Sequence, residues 1–367
     1  MTTATLPIVD LDLFLADPTA TAALLECHKA AEALVTYGAL IVRDSRVTEA
    51  DNEAFLDLFE DYFALPNEEL KKDERKEYSY QVGVTLENTE KPKCASDDDC
   101  LRIIEKLEPS ERPLDVTGHG ADPKCRFFWK MSTPPPYKTA YPALNMPNVI
   151  PESPKVQPTW EETLNKWGNS MKNAVEGVAQ MSSLGFGLER TKFTDAGTYG
   201  PHILAPTASD LNKYGAKNTI LAGFHSDLNF LTIHGRSRYP GLHIWARNTG
   251  RRIAVKVPKG RYLLVQAGKQ LEHLTGGVVK AGLHEVVVNS STIETIQSRK
   301  ETHPDRPLIR ISSTFFWHLS SDYDLAPLDL PNFAVDKYVT DVPAPAYPPL
   351  KVGEQVQNEL KHIALMA

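Results

Sequence analysis

The run GFHSDLNFLTIHG, from Gly223 to Gly235, sets two histidines and an acid in an apolar, strand-like stretch. His225 and Asp227 stand two residues apart. On a strand such residues point to one face, because side chains alternate. An imidazole and a carboxylate converging on one point can share a divalent metal. Two imidazoles and one carboxylate on one face of an ion leave the opposite positions open. That facial set suits a non-haem Fe(II) that must also bind oxygen and a co-substrate. The third ligand has to come from a distant strand. His273, His284, His303 and His318 are the candidates. His284 opens the β-branched run HEVVV, and its separation from Asp227 fits a return across a sandwich after several strands. His234 stands nine residues after His225. Strand parity expects it on the opposite face, in a structural role.

Downstream, Arg310 and Ser312 again share a strand face. An arginine turned into a barrel is costly unless it meets an anion. A planar guanidinium beside a hydroxyl is shaped to grip a carboxylate. An arginine paired with a protein acid in the barrel wall would read the same way.

These residues need a scaffold. The first 65 residues read as strand, helix, strand, helix. PIVDL and GALIVRD are the strands. Asp17-Pro18 opens a helix that runs to about Gly38, and Thr48-Glu49-Ala50-Asp51 forms a capping box. Phe55, Leu58, Phe59, Tyr62 and Phe63 then fall on one helical face, as core packing. From Lys71 to Pro113 the chain is charged and irregular, and the loop from Tyr78 to Pro92 is a candidate lid. Residues 131–158 read as a Pro-rich connection. Thr159-Trp160-Glu161-Glu162 opens a long helix to about Leu184. Gly168 and Gly177 each weaken it by about 1 kcal/mol, so packing must hold it. From about 200, short β-rich runs separated by Gly, Pro and Asn clusters indicate a sandwich or barrel. A Pro-rich tail ends in an amphipathic helix bearing Val352, Val356, Leu360 and Ile363.

The chain of 367 residues carries 47 acids against 40 bases, a net charge of −7. This argues against nucleic acid or an anionic membrane as the main partner. No apolar run reaches the roughly 18–20 residues of a membrane span. The start MTTATLPIVDLDLF lacks the features of a secretory signal, so a cytoplasmic location is expected. Cys27, Cys94, Cys100 and Cys125 are expected as reduced thiols.

With these residues in view, the chain resembles the Fe(II)/2-oxoglutarate-dependent dioxygenase superfamily, in its isopenicillin N synthase-like branch, nearly end to end. PIVDL, AAEALVTYGALIVRD and YFALPNEELK are similar to its opening elements. GLHIW, VQAGKQLEHLTGG and LHEVVV are similar to strands leading to the last metal ligand. The resemblance implies a mainly β fold, a double-stranded β-helix (jelly-roll, cupin-like) core with flanking α-helices. It implies an α/β region over 1–130, a connection and long helix over 131–198, the jelly-roll core over 199–320 and a C-terminal extension over 321–367. It implies that His225, Asp227 and His284 bind Fe(2+), and that Arg310 and Ser312 bind the distal carboxylate of 2-oxoglutarate. With O2, the expected reaction oxidises an unactivated C–H of a small organic metabolite. The outcome is hydroxylation, desaturation or radical rearrangement, with release of succinate and CO2. The expected substrate is a small, largely apolar natural product or aromatic metabolite, and no obligate protein partner is implied. His273, Phe224 and Phe230 are candidate substrate contacts, with Phe128, Trp129 and Trp245 as further aromatics. Two positions depart from the branch. Its Asn-x-Tyr segment reads HILAPT here, so the tyrosine falls on Leu204 or Ala205. Lys269 stands where an acid is common. An Fe(II) oxidase of the same fold without 2-oxoglutarate, or a catalytically dead ligand-binding protein, are the rival readings.

Overall fold

Alternating short strands with one apolar face build two main sheets, and Asp324–Leu325 pairs with Leu350–Lys351 as a small third one. The computed structural model describes residues 5–91, 94, 97–114, 120–333 and 347–362. Pro92, at the end of the lid candidate, and Ile363 lie outside the described residues. The strands are β1 (Ile8–Asp10), β2 (Ala39–Arg43), β3 (Gly83–Thr85), β4 (Cys125–Lys130), β5 (Ile203–Leu204), β6 (Thr207–Asp210) and β7 (Ile220–Ser226). There follow β8 (Leu231–His234), β9 (Leu242–Trp245), β10 (Arg252–Ala254), β11 (Tyr262–Ala267), β12 (Leu283–Val287), β13 (Ile309–Ser312) and β14 (Thr314–Trp317). The larger sheet runs β1-β2-β11-β8-β14-β5-β4-β6-β13, with β3 on β4; the smaller runs β10-β9-β12-β7. β1 and β2 pair in parallel, while the pairs that carry the candidate site are antiparallel. This is a jelly-roll core with flanking helices, as the sequence leads one to expect.

One face of the larger sheet is sealed by helices. The helix Gln157–Gly185 lies against the helix Thr21–Tyr37 and the sheet. Its two interior glycines are close-approach positions. A Cβ at Gly168 would stand 2.9 Å from Met131 Cε, and one at Gly177 would stand 2.7 Å from Leu11 Cδ1. The gain in packing offsets their poor helix propensity. On the helix Glu49–Phe63, Phe55, Phe59 and Tyr62 are fully buried. Phe59 and Tyr62 pack on Trp160 with ring centroids 5.1 and 4.9 Å apart, the core stripe expected of them.

Several local expectations change. Thr159 lies inside its helix, which starts at Gln157 with Pro158 in the first turn, so it forms no capping box. Asp17 caps a turn at Thr19, with N to Oδ1 at 2.9 Å, and the next helix begins at Thr21. Thr48 does cap its helix, accepting from Asp51 N at 3.1 Å. β4 was not expected. Its charged ends conceal an alternation in which Phe127 and Trp129 face the helices. Cys94 and Cys100 are joined as a disulfide, their Cα atoms 5.3 Å apart, where free thiols were expected. The six-residue spacing allows this because the turn into the helix Asp98–Lys106 folds the two together. Cys27 and Cys125 are free.

A buried carboxylate ties the helical layer to the sheets. Glu60, with no exposed surface, meets Arg238 at 2.8 Å, Arg306 at 2.9 Å and Arg299 at 3.3 Å. Removing it would leave three partly buried guanidinium groups without their shared partner. We expect Glu60→Ala to destabilise the fold by about 3–5 kcal/mol, the usual effect of breaking a buried ion pair. Urea unfolding of both proteins checks this, and an unchanged midpoint would contradict it.

Candidate functional site

The smaller sheet supplies two imidazoles side by side. His225 on β7 and His284 on β12 are direct cross-strand partners, with ring centroids 4.2 Å apart. Asp227 follows immediately after β7. Its Oδ1 lies 3.8 Å from His225 Nε2 and 3.9 Å from His284 Nε2. One ligand atom from each of the three falls within 4.8 Å of the others, the one such group among the described residues. His273, His303 and His318 are not in it.

The surrounding bonds prepare these atoms. His225 Nδ1–H donates to Gly223 O at 2.6 Å, which leaves the Nε2 lone pair facing Asp227. A fixed tautomer of this kind is how metal-binding histidines are oriented. Thr232 Oγ1 donates to Asp227 Oδ2 at 2.7 Å, leaving Oδ1 toward the histidines. Burial, then the neighbouring His284, pushes the His225 pKa down, so its ring is neutral. Burial works against the Asp227 carboxylate, but His284, His225 and the Thr232 hydroxyl hold its pKa below the usual range. Two imidazoles and one carboxylate form a fitting donor set for Fe(II).

Arg310 and Ser312 sit on β13, both facing the same cavity. Arg310 is 5% exposed, and its Nη1 donates to Ser312 Oγ at 2.9 Å. No carboxylate pairs with it among the described residues, and burial alone lowers its pKa, to about 10. A guanidinium in that state is completed by an incoming carboxylate. The departure at Leu204 and Ala205 also stands. Both are buried, with Leu204 in the main core, and neither lines the cavity. The nearest hydroxyl in register is Thr207, the cross-strand partner of Ser312, which does line it. Lys269 pairs with Glu359 at 3.2 Å, on the helix Val352–His362.

The cavity measures about 170 Å³ and suits a small molecule. The lid candidate reaches it through Gln81, Glu90 and Lys91. Three sequence candidates do not line it. Phe224 neighbours His225 and so turns the other way, meeting Trp245 at 4.7 Å. Phe230 is core, between Phe193 and Trp317 at 4.9 and 5.4 Å. His273 lies on the helix Lys269–Leu274 against Tyr347, at 5.4 Å. Trp129 and Trp245 are also outside it, whereas Phe128 lines it.

His234 is a correction. It lines the cavity, its Nδ1 3.2 Å from Thr314 Oγ1 and its Nε2 3.0 Å from Gln266 Nε2. Parity fails because the chain leaves β7 at Ser226, turns, and enters β8 in the other sheet. Sequence reasoning also missed Lys124 and Arg126 on the cavity wall and Val356 and Leu360 on the C-terminal helix. The alternation Arg126, Phe128, Lys130 was the available signal for the first of these.

Comparison with known proteins agrees with this geometry. Residues 197–319 match the family model of the 2OG-Fe(II) oxygenase superfamily. Kihadalactone A synthase LFS of Citrus sinensis is 26% identical over 230 residues, which span 59% of this chain and 59% of that protein. Jasmonate-induced oxygenase 4 of Arabidopsis thaliana is 25% identical over 192 residues, 50% of this chain and 49% of that one. A crystal structure of a putative 2OG-Fe(II) oxygenase family protein from Caulobacter crescentus superposes with a TM-score of 0.71. It is 20% identical, with 99% of this chain and 100% of that one covered. A full-length Neurospora crassa protein, solved in complex with alpha-KG, also gives 0.71 at 17% identity, covering 97% and 96%. The structural likenesses establish the fold.

Two outcomes are expected. Asp227→Ala removes the anionic ligand, so affinity for Mn(II), used in place of Fe(II), should fall at least about 100-fold in calorimetry. Wild-type affinity in that variant would rule out the three-residue centre. The second concerns pH. Burial holds His318 at about 3 and His234 at about 4, below a free histidine. The unfolded chain therefore takes up these protons first. The stability they contribute is complete above about pH 6.5 and is lost as pH falls, by about 2 kcal/mol per histidine at pH 5. Urea unfolding of metal-free protein at about pH 7 and pH 5 reads this. A level stability across that range would contradict it.

Proposed function

We propose that the protein is an Fe(II)- and 2-oxoglutarate-dependent oxygenase acting on a small organic molecule, a reading supported by the match of residues 197–319 to the 2OG-Fe(II) oxygenase family model. The observation that carries this is the clustering of His225, Asp227 and His284 in one cavity with a buried Arg310 that meets no carboxylate among the described residues. His225 Nε2, His284 Nε2 and Asp227 Oδ1 would hold Fe(II). Arg310 and Ser312 would seat the distal carboxylate of 2-oxoglutarate, with Thr207 on the neighbouring strand. When bound, iron and 2-oxoglutarate supply with O2 the oxidising power for C–H cleavage, and succinate and CO2 leave.

The chain's own residues do the rest. Gly223 O and Thr232 Oγ1 fix the ligand set before the metal arrives. Phe128, Ile203, Phe316 and Leu228 give the cavity an apolar lining that keeps water from the reacting carbon. The helix Val352–His362 closes one side. Gln355 Nε2 on it donates to Leu228 O at 3.0 Å, one residue beyond Asp227. Glu359, paired with Lys269, brings Val356 and Leu360 to the wall. The product is the substrate oxidised at carbon, by hydroxylation or by desaturation.

The test is succinate formation from 2-oxoglutarate with Fe(II), ascorbate and O2, followed by mass spectrometry. Arg310→Leu should raise the KM for 2-oxoglutarate about 30-fold, equal to about 2 kcal/mol for a lost charge-assisted pair. Its Mn(II) affinity should stay unchanged. Absence of succinate from the wild type in the presence of a turned-over substrate would reject the 2-oxoglutarate reading in favour of an oxidase that dispenses with it.

A further inference from the structure

Lys130 ends β4; it is not itself among the residues that line the cavity, but strand alternation gives it the face of Arg126 and Phe128, which do. Phe127 and Trp129 turn to the helical core, where Phe127 meets Trp160 at 4.9 Å and Trp129 Nε1 donates to Asn165 at 3.0 Å. Arg126 and Phe128 alternate with them and line the cavity. Lys130 continues that face.

The sheet register places Lys130 relative to the candidate metal centre. Lys130 is opposite Ile203, Ile203 is opposite Phe316, and Phe316 is opposite Thr232. Thr232 is the residue whose hydroxyl holds Asp227. Lys130 and the Asp227 support thus share one row, three strand spacings apart, or about 14 Å between backbones. Ile203 and Phe316, both cavity-lining, fill the row between them. The strand end is pinned, because Asn148 accepts from Lys130 N at 2.6 Å and donates to Lys130 O at 3.0 Å.

The ammonium itself is unmatched. Lys130 Nζ is buried and has no hydrogen-bond partner among the described residues. Burial with no acid to offset it pulls its pKa down to about 7. The titratable groups that feel its charge are His318 and His202, both bases. Arg126 differs, since it already pairs with Glu90. An isolated buried cation is costly, and an anion arriving beside it removes that cost. Within that row Phe316 meets the ring of Phe128 edge-on, centroids 6.3 Å apart.

We propose that Lys130 anchors a carboxylate of the substrate, and that the molecule oxidised is a small apolar monocarboxylate lying along Ile203 and Phe316 toward the metal centre. The position of the reacting carbon rests on the oxygenase reading; the carboxylate contact does not. Lys130 is a specificity residue, separate from the Arg310 seat on β13.

Calorimetry on the full chain tests it, with and without Mn(II) and saturating 2-oxoglutarate. Phenylacetate, cinnamate and octanoate are compared with their primary amides. At least one carboxylate should bind tenfold or more tightly than its amide. Lys130→Met should erase that preference, and Lys130→Arg should keep it. Urea unfolding confirms that both variants are folded. A panel with no carboxylate preference, or a preference that survives Lys130→Met, overturns the proposal. The preference is read from binding, so it stands or falls separately from succinate formation.

Discussion

Everything in this protein is organised around charge buried with an incomplete set of partners. Asp227 is held between two imidazoles, and among the described residues Arg310 meets a serine hydroxyl and a distant carbonyl but no carboxylate. Lys130 has no partner among the described residues. Each would relax by moving, so each must be held by something rigid. Adjacent antiparallel strands do this for the histidines, because the register of β7 against β12 fixes both rings at once. The buried hydroxyl of Thr232 does it for Asp227.

That rigidity is supplied from outside the cavity. The helix Gln157–Gly185 and the aromatic cluster around Phe59, Tyr62, Phe127 and Trp160 form a close-packed layer behind β4. Glu60 and its three arginines join the helix Glu49–Phe63 to segments beside β8 and β13. The apolar burial of this layer offsets the cost of polar groups on the other face. The helix Val352–His362, far along the chain, completes the wall through Gln355 and Glu359.

The comparison of His225, Asp227 and His234 shows how far local pattern carries. The first two share one continuous strand and its end, so alternation places them correctly. His234 belongs to β8, and the turn between breaks the parity count. Phe224 was misread for the opposite reason: alternation itself turns it from His225's face, toward Trp245. Phe230 and His273 went to the core and to a helix side, destinations set by neighbours distant in sequence. Arg126 and Lys130 were passed over because β4 looks like charged flanks around an aromatic run.

The sequence by itself determined the His-x-Asp pair, the Arg-x-Ser pair, the jelly-roll class and the helices that flank it. All of these rest on residue type at short spacing, where geometry is local. Only the tertiary structure decided that His284 stands directly across from His225, that His234 faces the cavity, and that Lys130 shares a sheet row with the support of Asp227. Those facts depend on which strands pair and in what register, and the energies that choose a register are summed over contacts far apart in the chain.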